Sequence, residues 1–157
     1  MDAVQQADLA AGNPPEETVV GSHIFFYDGV CVYCKGIVES CLGNDTELQF
    51  HYSPLQSPFA QRVLGEYGID STQLHSMYVV SDFRGSNEAL QRAAPASNFV
   101  LLRLGGDLRG VGELNSAKPR EQQDAEYKDV ADHRYERHGK MDSVWMAGGN
   151  QRGRFVY

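Results

Sequence analysis

The sequence is poor in cysteine, in positive charge and in long apolar segments. Its 157 residues include three cysteines, which are too few, and odd in number, for the disulfide framework of a secreted domain. No apolar stretch approaches the roughly 18 residues needed to cross a bilayer. The net charge is −7, which argues against a nucleic-acid partner. We therefore expect a soluble domain that binds neither nucleic acid nor membranes, and whose thiols serve chemistry rather than cross-linking.

Both ends of the chain lack the patterns of packed structure. Residues 1–21 contain four acidic residues and two prolines but no Lys or Arg. That composition excludes the basic start of a signal peptide and the arginines of a transit peptide, so we expect a cytoplasmic protein. It also predicts a disordered acidic tail over 1–21. Residues 143–157 include a glycine-rich segment and are predicted to form a flexible tail.

Between the ends, apolar residues alternate between the periods of strands and helices. His23–Tyr27 is a short apolar run typical of a strand buried on both faces. The apolar residues of 37–42 fall on one helix face, and alternation over 48–52 predicts a second strand. Ser57 followed by proline begins another helix, and 77–80 is a third strand candidate. This alternation predicts an α/β fold with helices flanking a sheet.

Three later segments give weaker signals. Ser86 is a candidate cap for a short helix that continues through residues 89–93. The apolar run 99–104 is too short to separate helix from strand. Residues 113–140 carry seven acidic and six basic side chains, with apolar residues at helical spacing. They predict a surface helix that rests one thin face on the domain, rather than a binding surface.

The pair Cys31 and Cys34 carries the sharpest chemical signal. It follows a strand and a turn and opens a helix, which places both sulfurs on the same side of one helical turn. Unpaired N–H groups at a helix N-terminus stabilise a thiolate and lower its pKa from about 8.5 toward 7. We therefore predict that Cys31 attacks a partner disulfide and that Cys34, one turn deeper, resolves the mixed disulfide.

Two alternatives to this catalytic reading stay open. The first is a redox-sensing or protein-interaction module whose pair changes state without turnover. The second is a zinc-bound structural module, although the chain lacks a second cysteine pair or a closely spaced histidine pair to complete four ligands. Cys41 lies two turns from Cys34, about 10 Å along the helix, and is predicted to be a small buried hydrophobe. We expect no bound cofactor and no metal.

Asp28 has two candidate roles as a supporting residue of the site. In the turn before the pair, its carboxylate could accept a backbone hydrogen bond. If it points beneath the pair, it could take a proton from Cys34, although its charge would raise the pKa of the thiolate. The turn role is the simpler expectation.

Four ordered segments resemble the DCC family of predicted thiol–disulfide oxidoreductases. Asp28, Cys31 and Cys34 fill the positions of its D-x-x-C-x-x-C signature. Residues 53–57 are similar to its "PLQS" segment, 84–90 to its "RGSDAAL" segment, and 119–140 to its "Y…VA..RY…G" pattern. The resemblance implies a thioredoxin-like domain over residues 22–142 with a helical C-terminal extension.

The same resemblance implies the reaction and the partners. It predicts a thiol–disulfide oxidoreductase that acts on a disulfide or dithiol substrate, which we expect to be a protein. Such an enzyme exchanges electrons with an external donor or acceptor. The direction of electron flow is not fixed by the sequence, because it depends on small energy differences between the dithiol and disulfide forms.

Overall fold

A four-stranded sheet forms the centre of the computed structural model, which describes residues 2–157. Its strands are β1 (His23–Tyr27), β2 (Phe50–Pro54), β3 (Tyr78–Ser81) and β4 (Ala89–Arg92). Their spatial order is β2-β1-β3-β4. Strand β1 pairs in parallel with β2 and antiparallel with β3, and β4 continues the sheet beyond β3 in antiparallel register. This is the α/β, thioredoxin-like sheet that the sequence predicts.

The helices of residues 2–157 flank this sheet or extend from it. They are α1 (Ala3–Ala10), α2 (Val32–Asn44), α3 (Pro58–Gly65), α4 (Ala93–Arg103), α5 (Asp107–Ser116) and α6 (Arg120–His138). None of them combines the length and apolar character that a bilayer span requires. Helices α5 and α6 form the predicted helical extension after the last strand.

Strand β1 is central because both of its faces are apolar. Ile24 and Phe26 point to one side and pack in a cluster with residues of α3. Phe25 and Tyr27 point to the other side and join residues of α2 and α4. Successive strand side chains alternate between faces, so a continuous apolar run buries against helices on both sides. The strand therefore ends, just before Asp28, in the middle of the domain.

Local signals place two helix starts correctly. The Ser57 hydroxyl accepts a hydrogen bond from the backbone N–H of Ala60 at 2.9 Å, and Pro58 occupies the first helical position of α3. Cys31 is the N-cap of α2, and its sulfur accepts from the backbone N–H of Cys34. The side chains therefore cap the unpaired N–H groups that every helix start exposes.

Two predicted segments differ from the structure. The helix expected from Ser86 through residues 89–93 is wrong, because 89–92 form β4 and pair with β3, with Leu90 opposite Val80. A non-local ladder outweighs the local helical signal here. The second strand begins at Phe50 rather than at 48, because Asp45 accepts the N–H groups of residues 49 and 50.

The C-terminal segment is packed into the domain, which corrects the expected flexible tail at 143–157. Phe155 is fully buried and forms a parallel bridge with Tyr52 of β2. Arg154 lies 2.5 Å from the carboxylate of Asp45, whose side chain has no exposed surface. The glycine-rich composition signals flexibility, but the apolar residues that follow it supply the burial that orders the segment.

The N-terminal segment also has structure, in contrast to the expected disordered tail at 1–21. Residues 3–10 form the exposed helix α1, capped by Asp2. Val19 is fully buried in the same cluster as β1, and the Asn13 side chain bonds to the backbone of Tyr157. The packed unit therefore extends beyond both ends of the predicted 22–142 domain.

Candidate active site

The two cysteines are free thiols that share hydrogen bonds at the start of α2. The Cys31 sulfur accepts the backbone N–H of Cys34 at 3.1 Å, and it also accepts from the Cys34 thiol. The thiol hydrogen bond lowers the pKa of Cys31 most, burial opposes the shift, and the backbone N–H adds to it, giving a pKa of about 7. Donating to Cys31, together with burial, raises the pKa of Cys34 well above its ordinary value. Cys31 is therefore the thiolate of the pair.

The exposure of the two cysteines is the reverse of the expectation that Cys34 lies deeper. Cys31 has 0% of its surface exposed, whereas Cys34 is partly exposed and borders a cavity. The more acidic sulfur is thus the covered one. The sequence assigned both the lower pKa and the greater exposure to Cys31, whereas the structure gives the lower pKa to Cys31 and the greater exposure to Cys34.

Cys31 is covered by the segment that follows α6, residues 139–145, which we term the strap. Its backbone pairs with the turn that carries the cysteines: Met141 N–H donates to Val30 at 2.7 Å, and the Gly139 carbonyl accepts from Val32 at 3.3 Å. Lys140 forms an isolated antiparallel bridge with Cys31. Gly139 has a φ of +104°, a value that favours glycine, and it ends the helix so that the chain can turn back over the pair.

Gly29 lets the strap approach this closely. A Cβ atom at residue 29 would lie 2.7 Å from the Val144 side chain and 3.0 Å from Gln56 and Pro54. The Gly29 carbonyl in turn accepts the N–H of Trp145 at 2.8 Å. A side chain at this position would push the strap away from the turn.

Asp28 is buried beside the pair and holds four hydrogen bonds. One carboxylate oxygen accepts Val30 N–H at 3.1 Å and the Gln56 amide at 2.8 Å. The other accepts the Arg134 guanidinium at 3.0 Å and the Tyr135 hydroxyl. Burial alone would raise the pKa of Asp28, but these hydrogen bonds together outweigh it and lower the pKa. The carboxylate therefore fills the expected turn role, and its low pKa makes it a poor acceptor for a proton from Cys34.

Arg134 balances the charge of Asp28 at the thiolate. The Asp28 carboxylate raises the pKa of Cys31, and the Arg134 guanidinium lowers it. The guanidinium also donates to the Leu74 carbonyl at 2.9 Å, in the loop before β3. Because it bonds to both segments, Arg134 fixes α6 over the carboxyl end of β1.

Helix α6 thus contributes directly to the site. Beyond Arg134 and Tyr135, the Tyr127 hydroxyl accepts the Met77 backbone N–H at 2.9 Å, and His138 stacks on Tyr33 with ring centroids 4.7 Å apart. The sequence predicted this surface helix but gave these residues no role in the site. Their signals were the helical spacing of the apolar residues in 113–140, which include Tyr127 and Tyr135, and the resemblance of residues 119–140 to the family pattern.

A cavity of about 260 Å³ opens beside Cys34, between α2, α4, α6 and the loop before β3. Most of its surface is apolar and comes from residues such as Phe25, Ile37, Met77 and Val130, and neutral polar side chains such as Ser97, Asn98 and Asn115 also line it. Its charged lining residues, Asp28, Glu126 and Arg134, each hold an ion pair. A molecule of small size could therefore reach Cys34 without contacting the strap.

The third cysteine lies apart from the pair. Cys41 is buried in the core below α2, as predicted, and burial raises its pKa to about 12. Across residues 2–157, no three His, Cys, Asp or Glu side chains are grouped so that they could hold a metal ion. Cys31 and Cys34 therefore lack the further ligands of a structural zinc site there.

A thioredoxin-like sheet with a CxxC pair after its first strand defines a class of thiol–disulfide redox proteins. Within this class, the model of the DCC1-like thiol-disulfide oxidoreductase family matches residues 25–140, and the chain belongs to that family. The chain is also similar to the uncharacterized protein YuxK of Bacillus subtilis (strain 168). The two are 24% identical over 137 residues, which cover 87% of this chain and 96% of YuxK. No solved structure matches the chain.

Proposed function

We propose that this protein is a thiol–disulfide oxidoreductase whose reactive group is the pair Cys31 and Cys34. The observation that carries the proposal is the 3.1 Å hydrogen bond from Cys34 N–H to the Cys31 sulfur, which helps to lower the pKa of Cys31. A thiol with a pKa of about 7 is substantially ionised at neutral pH, and the resulting thiolate is the reactive form in disulfide exchange.

The proposed reaction needs no resident cofactor. In the reducing direction, the two thiols become a Cys31–Cys34 disulfide, and their two electrons and two protons convert a partner disulfide into two thiols. In the oxidising direction the same steps run backward on a dithiol. An external thiol or disulfide then restores the pair. The partner is thus a disulfide or dithiol compound in either direction.

Cysteine variants test this proposal. The protein is equilibrated with oxidised and reduced glutathione, quenched with acid and alkylated, and its disulfides are identified by peptide mass. We expect a Cys31–Cys34 disulfide and catalysed exchange in the wild type and in Cys41→Ser, and neither in the double variant Cys31→Ser/Cys34→Ser. Failure of the wild type to form this disulfide at any ratio of oxidised to reduced reagent overturns the proposal.

One observation favours a second candidate, a redox sensor that changes state without turnover. The strap covers Cys31 in the reduced state through backbone hydrogen bonds at 2.7 and 3.3 Å. A sensor forms the same disulfide but does not accelerate exchange between two added partners. Multiple turnovers per protein, measured with limiting protein and excess dithiothreitol and disulfide, exclude this candidate.

A further inference from the structure

We infer that the cavity beside Cys34 binds a small uncharged thiol, which bonds to Cys34 of the oxidised pair while Cys31 departs. The inference rests on the proposed function, and it assigns that site a substrate class and an order of reaction. It reverses the order that the sequence suggests, in which the partner bonds first to Cys31.

Access is the first argument. Cys31 is fully covered. The strap pairs with the backbone of Cys31 and forms hydrogen bonds with Val30 and Val32 on either side of it. Cys34 borders the cavity, so an incoming sulfur reaches it without displacing the strap. In disulfide exchange the attacking thiolate must approach the sulfur to which it bonds. Of the two sulfurs, only Cys34 meets that requirement in this structure.

The departing sulfur is the second argument. A disulfide breaks faster when its leaving thiol is more acidic. Attack at Cys34 releases Cys31, whose charge is stabilised by the Cys34 N–H and by Arg134. Attack at Cys31 would instead release Cys34, and burial raises the pKa of that thiol. Acidity and access therefore favour the same sulfur for attack.

The step balances with thiol and disulfide groups alone. A substrate thiolate forms a bond to the Cys34 sulfur, the Cys31–Cys34 bond breaks, and its electron pair stays on Cys31. A second substrate thiolate then attacks the bound substrate sulfur, forms the substrate disulfide and releases Cys34, which takes a proton. The substrate is oxidised and the pair is reduced. A low-molecular-weight disulfide regenerates the oxidised pair by the reverse sequence.

The cavity defines the substrate class. A volume of about 260 Å³ lies near the lower end of ordinary ligand pockets, so it suits a small molecule rather than a folded protein. Apolar side chains from β1, α2, the loop before β3 and α6 line it. An apolar lining favours a thiol with an aliphatic or aromatic body.

Charge sets the second limit on the substrate. The lining includes two carboxylates, Asp28 and Glu126, and one guanidinium, Arg134. Arg134 is already paired with Asp28 at 3.0 Å, and Glu126 is paired with Lys118 at 2.8 Å. An anionic substrate would therefore enter a largely apolar site in which the lining guanidinium is already paired with a carboxylate, so burying its charge there is unfavourable. The site selects an uncharged thiol over an anionic one.

The order of reaction is tested on the oxidised wild-type protein. Benzyl mercaptan is added, the reaction is quenched with acid within its first turnover, and free thiols are alkylated. Cleavage after Tyr33 by chymotrypsin separates the two cysteines for mass analysis. We expect the benzyl adduct on Cys34 and the alkyl group on Cys31. An adduct on Cys31 with Cys34 alkylated overturns the inference but leaves the proposed function intact.

The substrate class is tested with a matched pair of thiols, benzyl mercaptan and 4-(mercaptomethyl)benzoate, which differ by one carboxylate. Each rate of reduction of the oxidised protein is divided by the rate of the same thiol with bis(2-hydroxyethyl) disulfide, which corrects for intrinsic reactivity. We expect a preference of about tenfold for the uncharged thiol, the size typical of a modest differential interaction. Equal corrected rates overturn the proposed substrate class.

A variant that fills part of the cavity tests the role of the cavity without changing either cysteine. Ala131→Leu fills part of the cavity, and Ala125→Leu adds the same carbons on the exposed side of α6. We expect Ala131→Leu to lower the corrected rate with benzyl mercaptan by about tenfold, while Ala125→Leu and the wild type react alike. If Ala131→Leu forms the Cys31–Cys34 disulfide normally and also keeps the full rate, the cavity is not the route of the substrate.

Discussion

The carboxylate of Asp28 lies 3.0 Å from the guanidinium of Arg134, a residue 106 positions further along the chain. The side chains are 4% and 15% exposed, so the pair is largely removed from water. It joins the end of β1 to α6 immediately beside the cysteines. The two charges act in opposite directions on the pKa of Cys31, so loss of either one is expected to shift it, and the pair also holds the helix in position.

Removing the cation is expected to raise the pKa of Cys31. Arg134→Met keeps much of the side-chain length but leaves the Asp28 charge buried and unpaired. We expect the midpoint of thiolate formation, followed by ultraviolet absorbance of the reduced protein, to move to higher pH. Breaking a buried pair from one side also costs about 3–5 kcal/mol in the free energy of unfolding, measurable in urea. An unchanged midpoint would show that the guanidinium does not act on the thiolate.

Removing the anion is expected to have the opposite effect on the thiolate. Asp28→Asn preserves the shape of the side chain and leaves the Arg134 charge near the sulfurs. The thiolate midpoint should therefore move to lower pH than in the wild type, because the carboxylate raises the pKa of Cys31. A shift in the same direction for both variants would contradict the electrostatic account.

The hydrogen bond between the cysteine side chains gives a third prediction. Cys34→Ala removes the thiol hydrogen bond to Cys31 but keeps the backbone N–H of residue 34. We expect the reduced wild type to titrate with a midpoint near pH 7 and Cys34→Ala to titrate at higher pH, because the thiol hydrogen bond is the largest influence lowering the pKa of Cys31. Cys31→Ser should lose the transition near pH 7, which identifies the residue that titrates.

The lowered pKa of Asp28 predicts a loss of stability in acid. A carboxyl group with a depressed pKa in the folded state contributes stability above its unfolded pKa of about 4, and this contribution disappears as pH falls through the folded value. The difference in unfolding free energy between the wild type and Asp28→Asn should therefore narrow below about pH 4. Glu39→Gln, an exposed change on α2, provides the control. If the difference in unfolding free energy stays constant with pH, Asp28 is not the source of the loss of stability in acid.

The packed C-terminal segment is tested by truncating one ring. Phe155→Ala should cost about 3–5 kcal/mol in the free energy of unfolding, since Phe155 is fully buried against β2. Leu114→Ala, at a side chain that is 72% exposed on α5, should change stability by no more than about 0.5 kcal/mol. If both changes had equally small effects, the C-terminal segment would not be packed against the domain, in agreement with the flexible tail that composition predicts.

Residues with strong local signals were predictable from the sequence. Strand β1 is a continuous apolar run, and Ser57 with Pro58 marks the start of α3, so the structure agrees with the prediction at both. Strand β4 was not predictable in this way, because residues 89–92 are partly exposed and their conformation depends on pairing with β3. Local propensity carries no information about such a partner.

The residues of the candidate site also fall into two groups, those predictable from local sequence and those placed by distant contacts. Asp28, Cys31 and Cys34 are close in sequence, and their spacing identifies them as a group. Arg134 and Tyr135 join them only because α6 crosses the end of β1, and nothing in their immediate neighbours marks that contact. The burial of Cys31 likewise depends on the strap, more than 100 residues away in the chain.

The buried position of Phe155 has a consequence for how the protein is made. The ring that completes the core against β2 lies more than 120 residues after both cysteines in the chain, so β1 and the cysteines leave the ribosome well before it. Domains generally fold as units, so the nascent chain must carry the two free thiols without a finished core until residue 155 is synthesised. The strap reaches Cys31 over the same late interval, which leaves that sulfur uncovered during translation.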